Sequence, residues 1–376
     1  MTAGSIRSIS TLRIERRPKP GGTVRYRLGS VAVGVIVSTA FALAVSGASP
    51  TQFFHGVWTG TLGTPTGVQY LALLATPLIL TGLAAAIPLR IGLWNIGADG
   101  QLFLGAWAAF GVGTLFPHMR GSFLIPLMFI AGAVCGSAWS LIPALARVYL
   151  GVNEIISTLM FNFISGFFVI YWAAGRWAEP LSAGAVRSRS IPTQTILQPV
   201  QLGQYSIPVG FLIALAVAAA IWLFLRASVF GYEISIIGSS PRAATYAGMS
   251  TRRITIIVFL LGGMAAGIAG VVEMLGNIER FSPSLSNNTG YTGVVVAALA
   301  GGLGLDLAAM AVVFAGIEIG GNVLTVTGAS SDLVFAMYGI TLICAAIGQG
   351  LRHIKVVRTS DVVTDTGVVE PIGETV

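Results

Sequence analysis

The sequence predicts an all-α polytopic membrane protein, with about ten transmembrane helices arranged as two inverted-topology halves. Hydrophobic residues make up 55% of the 376 positions and charged residues only 9%, whereas soluble domains carry about 25% charged residues. Apolar runs of membrane-spanning length recur along the chain. The 48 glycines fit helices that approach each other closely in lipid. This composition excludes a water-soluble fold.

Ten apolar runs are the candidate spans. Nine have spanning length, and they cover residues 28–47, 67–89, 92–116, 122–146, 154–175, 207–225, 254–276, 306–326 and 331–348. The tenth, 290–304, reaches only about 22 Å as a helix, short of the roughly 30 Å hydrocarbon core. We therefore expect it to start deep in the membrane or to be one half of a broken helix.

The runs divide the chain into a basic tail (1–27), a transmembrane permease domain (28–350) and a polar tail (351–376). The longest internal loop between spans is 227–253. The first apolar run is about 20 residues long, beyond the roughly 7–15 residues of a signal-peptide core. It is therefore expected to be a retained anchor, with a cleaved signal peptide as the alternative.

The basic residues predict the orientation. With the N-terminus in the cytoplasm, ten spans leave most of the 21 Lys and Arg residues inside. Those placed outside are Arg120, Arg176, Arg187, Arg189 and Arg280. This positive-inside bias predicts that both termini are cytoplasmic. The charges flank apolar runs and form no aromatic-interleaved basic face, which argues against a nucleic-acid partner.

The chain carries no recognised energy-converting or catalytic motif, and an intramembrane protease or transferase stays an alternative that no motif supports. Its two lysines, Lys19 and Lys355, follow no glycine-rich P-loop. The three histidines are far apart, no HExxH, GxSxG or CxxC pattern occurs, and both cysteines lie in apolar runs. No catalytic residue, metal or cofactor is predicted. Uphill transport would need an ATPase on another chain or an ion gradient.

The pattern NxGxxG occurs twice, at Asn95–Gly100 and Asn288–Gly293, and each copy opens an apolar stretch. Ten-span threading places the first copy at the inner end of its span and the second at the outer end. Such a pair is typical of an inverted repeat with the chain broken near two related sites. A chance match in a glycine-rich chain is the alternative.

Polar side chains within apolar runs predict a substrate pathway, because Asp at a helix centre costs about 2.5–3.5 kcal/mol on insertion scales. The pathway candidates are Asn95, Asp99, Gln101, Asn162 and Asn288. Other polar groups in or near the spans are Glu154, Glu273, Glu318 and Asn322. Amides with few balancing cations favour an uncharged, hydroxyl-rich solute. The alternative is that these groups cap helices or cross-link them.

The 227–253 loop predicts a short docking helix. Ser240 can cap a helix whose first turn holds Pro241. Ala243, Ala244 and Ala247 give it a smooth face, from which Tyr246 protrudes. Such a helix suits a groove on a partner protein. The alternative is a helix that lies on the membrane surface.

Four blocks resemble the permease family of bacterial ABC importers for branched-chain amino acids, ribose-like sugars and nucleosides. They are GLWNIGADGQLFLGA (Gly92–Ala106), VNEIISTLMFNFI (Val152–Ile164), GSSPRAATYAGMS (Gly238–Ser250) and GYTGVVVAALAGG (Gly290–Gly302). The first block is most similar to the simple-sugar and nucleoside branch, and the resemblance covers about residues 65–350.

The resemblance implies the partners: a separate ABC ATPase, a second permease chain (a sibling or a copy of this one) and an extracytoplasmic substrate-binding lipoprotein. It also implies a bacterial plasma-membrane location and a coupling helix in the ATPase cleft. The expected coupling residues are Gly238, Pro241, Arg242, Ala244, Tyr246 and Gly248.

The resulting hypothesis is a permease subunit of an ATP-driven importer for a nucleoside or simple sugar. Two alternatives stay open. One is an ion-coupled secondary transporter that uses Asp99, Glu273 or Glu318 as a proton carrier. The other is a scaffold subunit with no pathway.

Overall fold

A computed structural model describes residues 7–16, 23–180, 184–351, 354–363 and 369–370. Within them the chain is predominantly helical. The helices are α1 (Thr23–Ser46), α2 (Pro50–Gly60), α3 (Pro65–Leu89), α4 (Ala98–Leu115), α5 (Gly121–Leu150), α6 (Glu154–Ala174), α7 (Val209–Ala227), α8 (Val229–Ser239), α9 (Pro241–Tyr246), α10 (Thr251–Glu273), α11 (Thr289–Ala300), α12 (Leu305–Val326) and α13 (Leu333–Leu351). The strands are β1 (Arg7–Arg16), β2 (Val200–Leu202), β3 (Tyr205–Ile207), β4 (Ile354–Val363) and β5 (Val369–Glu370).

Eight helices in the described part of the chain are long and apolar enough to cross a membrane. They cover Arg25–Ser46, Pro65–Leu89, Gly121–Leu150, Glu154–Ala174, Val209–Ala227, Thr251–Ile278, Leu305–Val326 and Leu333–Leu351. The all-α, polytopic membrane class is therefore confirmed. The other two predicted spans correspond to α4, with 18 residues, and α11, with 12 residues. The number of ten spans stays a prediction.

The chain divides into two compact units, which are Ala42–Tyr338 and the flanking residues up to Phe41 and from Gly339 onward. In the flanking unit, Thr341 Oγ1 lies 3.3 Å from Ser38 Oγ, joining α13 to α1. Strands β1 and β4 pair in antiparallel register, from Arg7 opposite Val363 to Arg16 opposite Ile354. The sequence does not predict strands in the two tails.

A glycine seam joins α4, α5 and α10 in the larger unit. It consists of Gly105, Gly132, Gly136, Gly263 and Gly267. An added Cβ at Gly105 would overlap the backbone of Gly267, and one at Gly267 would overlap the backbone of Gly132. The three helices therefore pack backbone against backbone, as small-residue contacts in membranes allow.

Two helix entries are irregular. Residues 90–97 carry no helix between α3 and α4. Helix α10 continues as a π-turn, Met274–Ile278, before the irregular segment that leads into α11.

The direction of α11 relative to α3 follows from one contact at each end of α11. Thr81 of α3 donates to the carbonyl of Thr289 at 3.0 Å, and Gly301 just past α11 shares a small cavity with Arg90. Thus α11 runs alongside α3 in the same direction, whereas α4 leads away from Arg90.

The turn between α5 and α6 is closed by local hydrogen bonds. Gly151 ends α5 with φ +67°, a left-handed conformation that glycine adopts readily. The Asn153 side chain then accepts from the N–H of Ile155 at 2.8 Å and caps α6. Arg147 and Glu154 bridge the two helix ends at 3.3 Å. This turn fixes where α6 begins and hence the position of its polar side chains.

Ion pairs and hydrogen bonds fix the segment that links α6 to α7. Glu179 pairs with Arg187 at 2.8 Å and with Arg280 at 2.6 Å. The Ser188 N–H donates to the carbonyl of Phe281 at 2.9 Å, and the Phe281 N–H donates to Ser188 Oγ at 2.8 Å. These bonds attach the linking segment to the chain that precedes α11.

Candidate functional site

Asn95 and Gln101 form a closed amide pair beside α3. Asn95 Nδ2 donates to Gln101 Oε1 and Gln101 Nε2 donates to Asn95 Oδ1, both at 3.0 Å. Asn95 also donates to the carbonyl of Ala84 at 3.1 Å and accepts from the Gly97 N–H at 3.1 Å. Each of the two residues is only 1% exposed. The pair therefore supplies hydrogen bonds to backbone groups at and beside the irregular segment that leads into α4.

Helix α6 holds the same entry from the other side. Asn162 Oδ1 accepts from the Gly100 N–H at 2.9 Å, and its Nδ2 donates to the carbonyl of Ile96 at 2.8 Å. Thr158 Oγ1 accepts from the Ile96 N–H at 3.3 Å. Without these partners the backbone groups of the non-helical entry would be unpaired in an apolar surrounding, which is costly.

Asp99 joins the starts of α4 and α11. Its Oδ1 accepts from the Gly290 N–H at 2.9 Å and from the Ser286 hydroxyl. Asn288, the residue before α11, has φ +60° and its own side chain makes no capping bond. Asp99 therefore supplies the cap that α11 lacks locally.

The contact brings the two NxGxxG motifs together, since Asp99 and Gly290 are in hydrogen-bond contact. Helices α4 and α11 are short, with 18 and 12 residues, and both begin at one shared point within the bundle. This agrees with the expectation that the 290–304 run starts deep or is one half of a broken helix. The inverted-repeat relation itself stays a prediction.

A cavity of about 440 Å³ opens beside this shared point. Asp99, Asn162 and Asn288 line it, whereas Asn95 and Gln101 do not. Its other polar lining includes Ser284, Ser286, Asn287 and Tyr291, and its apolar lining includes Phe103, Phe163 and Phe167. The mixture of aromatic faces, hydroxyls and amides suits a small polar solute with an apolar face.

Among the residues that the sequence analysis missed, Ser286 and Asn287 line the cavity and connect it to neighbouring side chains. Ser286 bonds Asp99, and Asn287 Nδ2 donates to Glu318 Oε1 at 3.3 Å. The Tyr338 hydroxyl donates to Glu318 Oε2 at 3.3 Å. The signal for Ser286 and Asn287 was their position directly before the second NxGxxG pattern.

The remaining carboxyl groups of the spans do not line the cavity. Glu273 Oε2 accepts from Asn277 Nδ2 at 2.8 Å within the α10 continuation. Asn322 Nδ2 donates to the Tyr70 hydroxyl at 3.3 Å. Among the described residues, no group of three or more His, Cys, Asp or Glu side chains could hold a metal ion.

The short helix expected in the 227–253 loop is present as α9. Ser240 Oγ accepts from the Ala243 N–H at 3.3 Å and caps it, with Pro241 in the first turn. Ala244 is buried, whereas Tyr246 is 94% exposed. The sequence did not predict the preceding helix α8, which Ser228 caps.

The remaining predicted coupling residues frame α9. Arg242 is exposed and Gly248 follows the helix with φ +75°. Gly238 lies against the backbone carbonyl of Arg90, so closely that an added Cβ would overlap it. The α8–α9 hairpin is therefore packed directly on the chain between α3 and α4.

The fold and the cavity describe a multi-pass membrane protein with a polar chamber among its helices. Residues 67–346 match the family model described as branched-chain amino acid transport system / permease component. The chain belongs to this permease family. The resemblance inferred from the four sequence blocks is thereby confirmed.

Three relatives place the chain in the simple-sugar and nucleoside branch of ABC permeases. It is 31% identical to the glucose ABC transporter permease protein TsgB13 of Haloferax volcanii, over 89% of each chain. It is 30% identical to the guanosine ABC transporter permease protein NupP of Bacillus subtilis, over 85% of this chain and 92% of the relative. It is 28% identical to the nucleoside ABC transporter permease protein NupB of Lactococcus lactis, over 80% and 84%.

Proposed function

We propose that this chain is the transmembrane subunit of an ATP-driven importer for an uncharged small solute, a nucleoside or a simple sugar. The observation that carries the proposal is the cavity at the shared start of α4 and α11, lined by Asp99, Asn162 and Asn288. The names of the relatives support this class of solute, since two of the three act on nucleosides and one on glucose.

The solute would pass along the cavity wall without forming a covalent intermediate. Its hydroxyl groups would exchange hydrogen bonds with the Asn162 amide and the Asn288 side chain, while a base or sugar face packs on Phe103 or Phe163. Asn95 and Gln101 would support the path indirectly. Their amide pair would position the backbone of the segment that leads into α4, to which Asn162 is hydrogen-bonded.

Energy would come from a separate ABC ATPase that grips the α8–α9 hairpin. Exposed Tyr246 and Arg242 would contact that partner, whereas buried Ala244 would seat α9 on its own chain. The contact of Gly238 with Arg90 supports mechanical coupling, because a shift of α8 would reach the irregular entry of α4.

The remaining features of the importer follow the family. A substrate-binding lipoprotein would deliver the solute at the outer face, and a second permease chain would complete the pathway. The positive-inside bias supports cytoplasmic termini in a bacterial plasma membrane. The hairpin that holds α9 would then lie in the cytoplasm beside the ATPase.

Uptake of labelled nucleoside and labelled glucose tests the proposal in cells that lack this chain and are complemented with variants. Gly166 lines the cavity, and an added Cβ there meets no atom within 4 Å. Gly166→Trp should fill the cavity and abolish uptake. Gly316→Trp is the matched control, because Gly316 also lies in a helix with no atom within 4 Å of an added Cβ and lies outside the cavity lining.

Unchanged uptake of both solutes without the chain would contradict the solute class, and equal uptake by the two Trp variants would contradict the path. An ion-coupled mechanism is distinguished in vesicles. Uptake driven by an imposed proton or sodium gradient without ATP would overturn ATP-driven transport.

A further inference from the structure

A second and larger cavity, of about 1060 Å³, lies at the far end of α4. The last part of α4, from Trp107 to Leu115, forms its back wall. Ala131 of α5 and Trp172 of α6 form its sides, and its rim is formed by Arg176, Trp177 and residues 189–194. It shares no lining residue with the cavity around Asp99 and Asn162.

The walls of this cavity, which we call the indole pocket, are aromatic. The ring centroids of Trp107 and Trp172 are 5.6 Å apart, and those of Trp172 and Trp177 are 4.6 Å apart. Phe110 lies 4.6 Å from Trp177. The buried Nε1–H of Trp107 has no hydrogen-bond partner among the described residues. The pocket thus combines large apolar faces with an unused donor.

The rim of the indole pocket is cationic. Arg176 and Arg189 line it, both are exposed, and neither forms an ion pair within the described part of the chain. The neighbouring Arg187 and Arg280 differ, since both are paired with Glu179. The two rim arginines therefore present uncompensated positive charge at the mouth of an apolar pocket.

The sides of the pocket belong to helices that are apolar toward their surroundings. On α5, Phe123 and Ile130 are exposed, and on α6, Phe167 and Tyr171 are exposed. Both helices are long and apolar enough to cross a membrane. These exposed apolar faces suit contact with lipid acyl chains. Tryptophan rings and basic side chains are enriched where helices meet the headgroup region.

We propose that the indole pocket binds one anionic phospholipid. The acyl chain lies against Gly111, Ala131 and the Trp172 ring, and the two rim arginines pair with the phosphate. Charge complementarity favours this occupant, since two guanidinium groups that are unpaired within the described ranges, at the mouth of an apolar pocket, match a phosphate that is joined to an acyl chain. An uncharged solute would leave Arg176 and Arg189 unpaired.

Native mass spectrometry of the purified full-length chain, with any co-purifying partners, tests the proposal. The protein is mixed in detergent with equal amounts of phosphatidylglycerol and phosphatidylcholine. We expect one phosphatidylglycerol to be retained in preference. The double variant Arg176→Gln/Arg189→Gln should lower that preference roughly 30-fold. The reason is that each of the two arginines contributes about equally to the free energy of binding an anionic lipid. Arg120→Gln is the control, since Arg120 is exposed but lies outside the pocket lining.

A second variant distinguishes the contribution of the apolar pocket to lipid binding from that of the two arginines. Gly111 faces the pocket, and an added Cβ there lies 3.9 Å from the Trp177 ring, which is ordinary contact. Gly111→Leu should exclude the acyl chain and abolish retention at an unchanged melting temperature. Glycerol phosphate and inorganic phosphate are added as competitors in parallel. Neither should displace the lipid, because neither fills the apolar walls.

Three results would overturn the proposal. The first is equal retention of the two lipids by the unmodified chain. The second is displacement of the lipid by glycerol phosphate or inorganic phosphate, which would assign the rim to a free anion. The third is a change in oligomeric mass in Gly111→Leu with no change in lipid, which would show that a second permease chain covers the pocket.

Discussion

The carboxyl group of Asp99 accepts a hydrogen bond from the backbone N–H of Gly290, a residue 191 positions further along the chain. This one contact brings together the starts of α4 and α11, which run in opposite directions from it. Two helix starts that meet inside a bundle leave backbone N–H groups that the helices cannot satisfy themselves. The contact therefore serves the fold as well as the cavity beside it.

Replacing Asp99 tests the cap. Asp99→Ala removes the acceptor for the N–H of Gly290 and for the Ser286 hydroxyl, and losing a helix cap costs about 0.5–2 kcal/mol. Asp99→Asn keeps an acceptor oxygen in place and should cost less. Thermal unfolding in detergent should rank the native chain above Asp99→Asn and Asp99→Asn above Asp99→Ala. Equal melting temperatures for the two variants would show that α11 needs no cap from α4.

Gly290 should tolerate no side chain. An added Cβ would overlap the backbone of Asp99, and overpacking of this kind costs about 1–3 kcal/mol. Gly290→Ala should therefore lower the melting temperature. Gly316→Ala is the control, because its Cβ would meet no atom within 4 Å. Similar losses in the two variants would contradict the close contact of α4 and α11.

The attachment of the α6–α7 linking segment should weaken in acid. The hydrogen bond from Arg280, followed by the charges of Arg187 and Arg280, holds the pKa of Glu179 below its usual value of 4.5. A carboxyl group with a depressed pKa stabilises the folded state above its unfolded pKa, and this contribution is lost as pH falls through the folded value. The segment should therefore loosen only below about pH 4.5.

Tryptophan fluorescence can follow that transition, because Trp177 lies on the same segment and packs on Phe110 at 4.6 Å. The native chain should show a fluorescence change in acid that Glu179→Gln lacks. Glu279→Gln is the control, since Glu279 forms no ion pair among the described residues. The same acid transition in Glu179→Gln would rule out Glu179 as its origin.

Variants at Tyr246 and Ala244 should distinguish binding of the partner ATPase from the packing of α9 on its own chain. Tyr246 is 94% exposed, so Tyr246→Ala should change stability by no more than about 0.5 kcal/mol. It should nevertheless reduce co-purification with the partner ATPase. Ala244 is buried, so Ala244→Leu should lower the melting temperature through overpacking. Undiminished ATPase recovery with Tyr246→Ala would remove this side chain from the proposed contact.

The class of fold and the position of α9 follow from local sequence signals. Low charge and long apolar runs determine the membrane class, and Ser240 followed by Pro241 marks a helix start regardless of the surrounding structure. The family resemblance likewise rests on short contiguous blocks. These features need no knowledge of which helices touch.

The candidate cavity depends on contacts that one sequence does not encode. Nothing at Asn95 or Gln101 distinguishes a pathway amide from one whose donors and acceptors are consumed by each other. Likewise, nothing at Asp99 indicates a partner 191 residues away. The short length of the 290–304 run was visible in the sequence, and α11 has only 12 residues, but its contact with the start of α4 was not.

The glycine seam has a mechanical consequence. Helices joined through interlocking side chains can change partners by rotamer changes, but Gly105, Gly132 and Gly267 offer no rotamers at their contacts. A slide by one turn would push the larger neighbours of these glycines into an opposing backbone. Helices α4, α5 and α10 would therefore move together as one rigid body. Any gating movement would then occur in elements that are attached to these three helices by side chains alone.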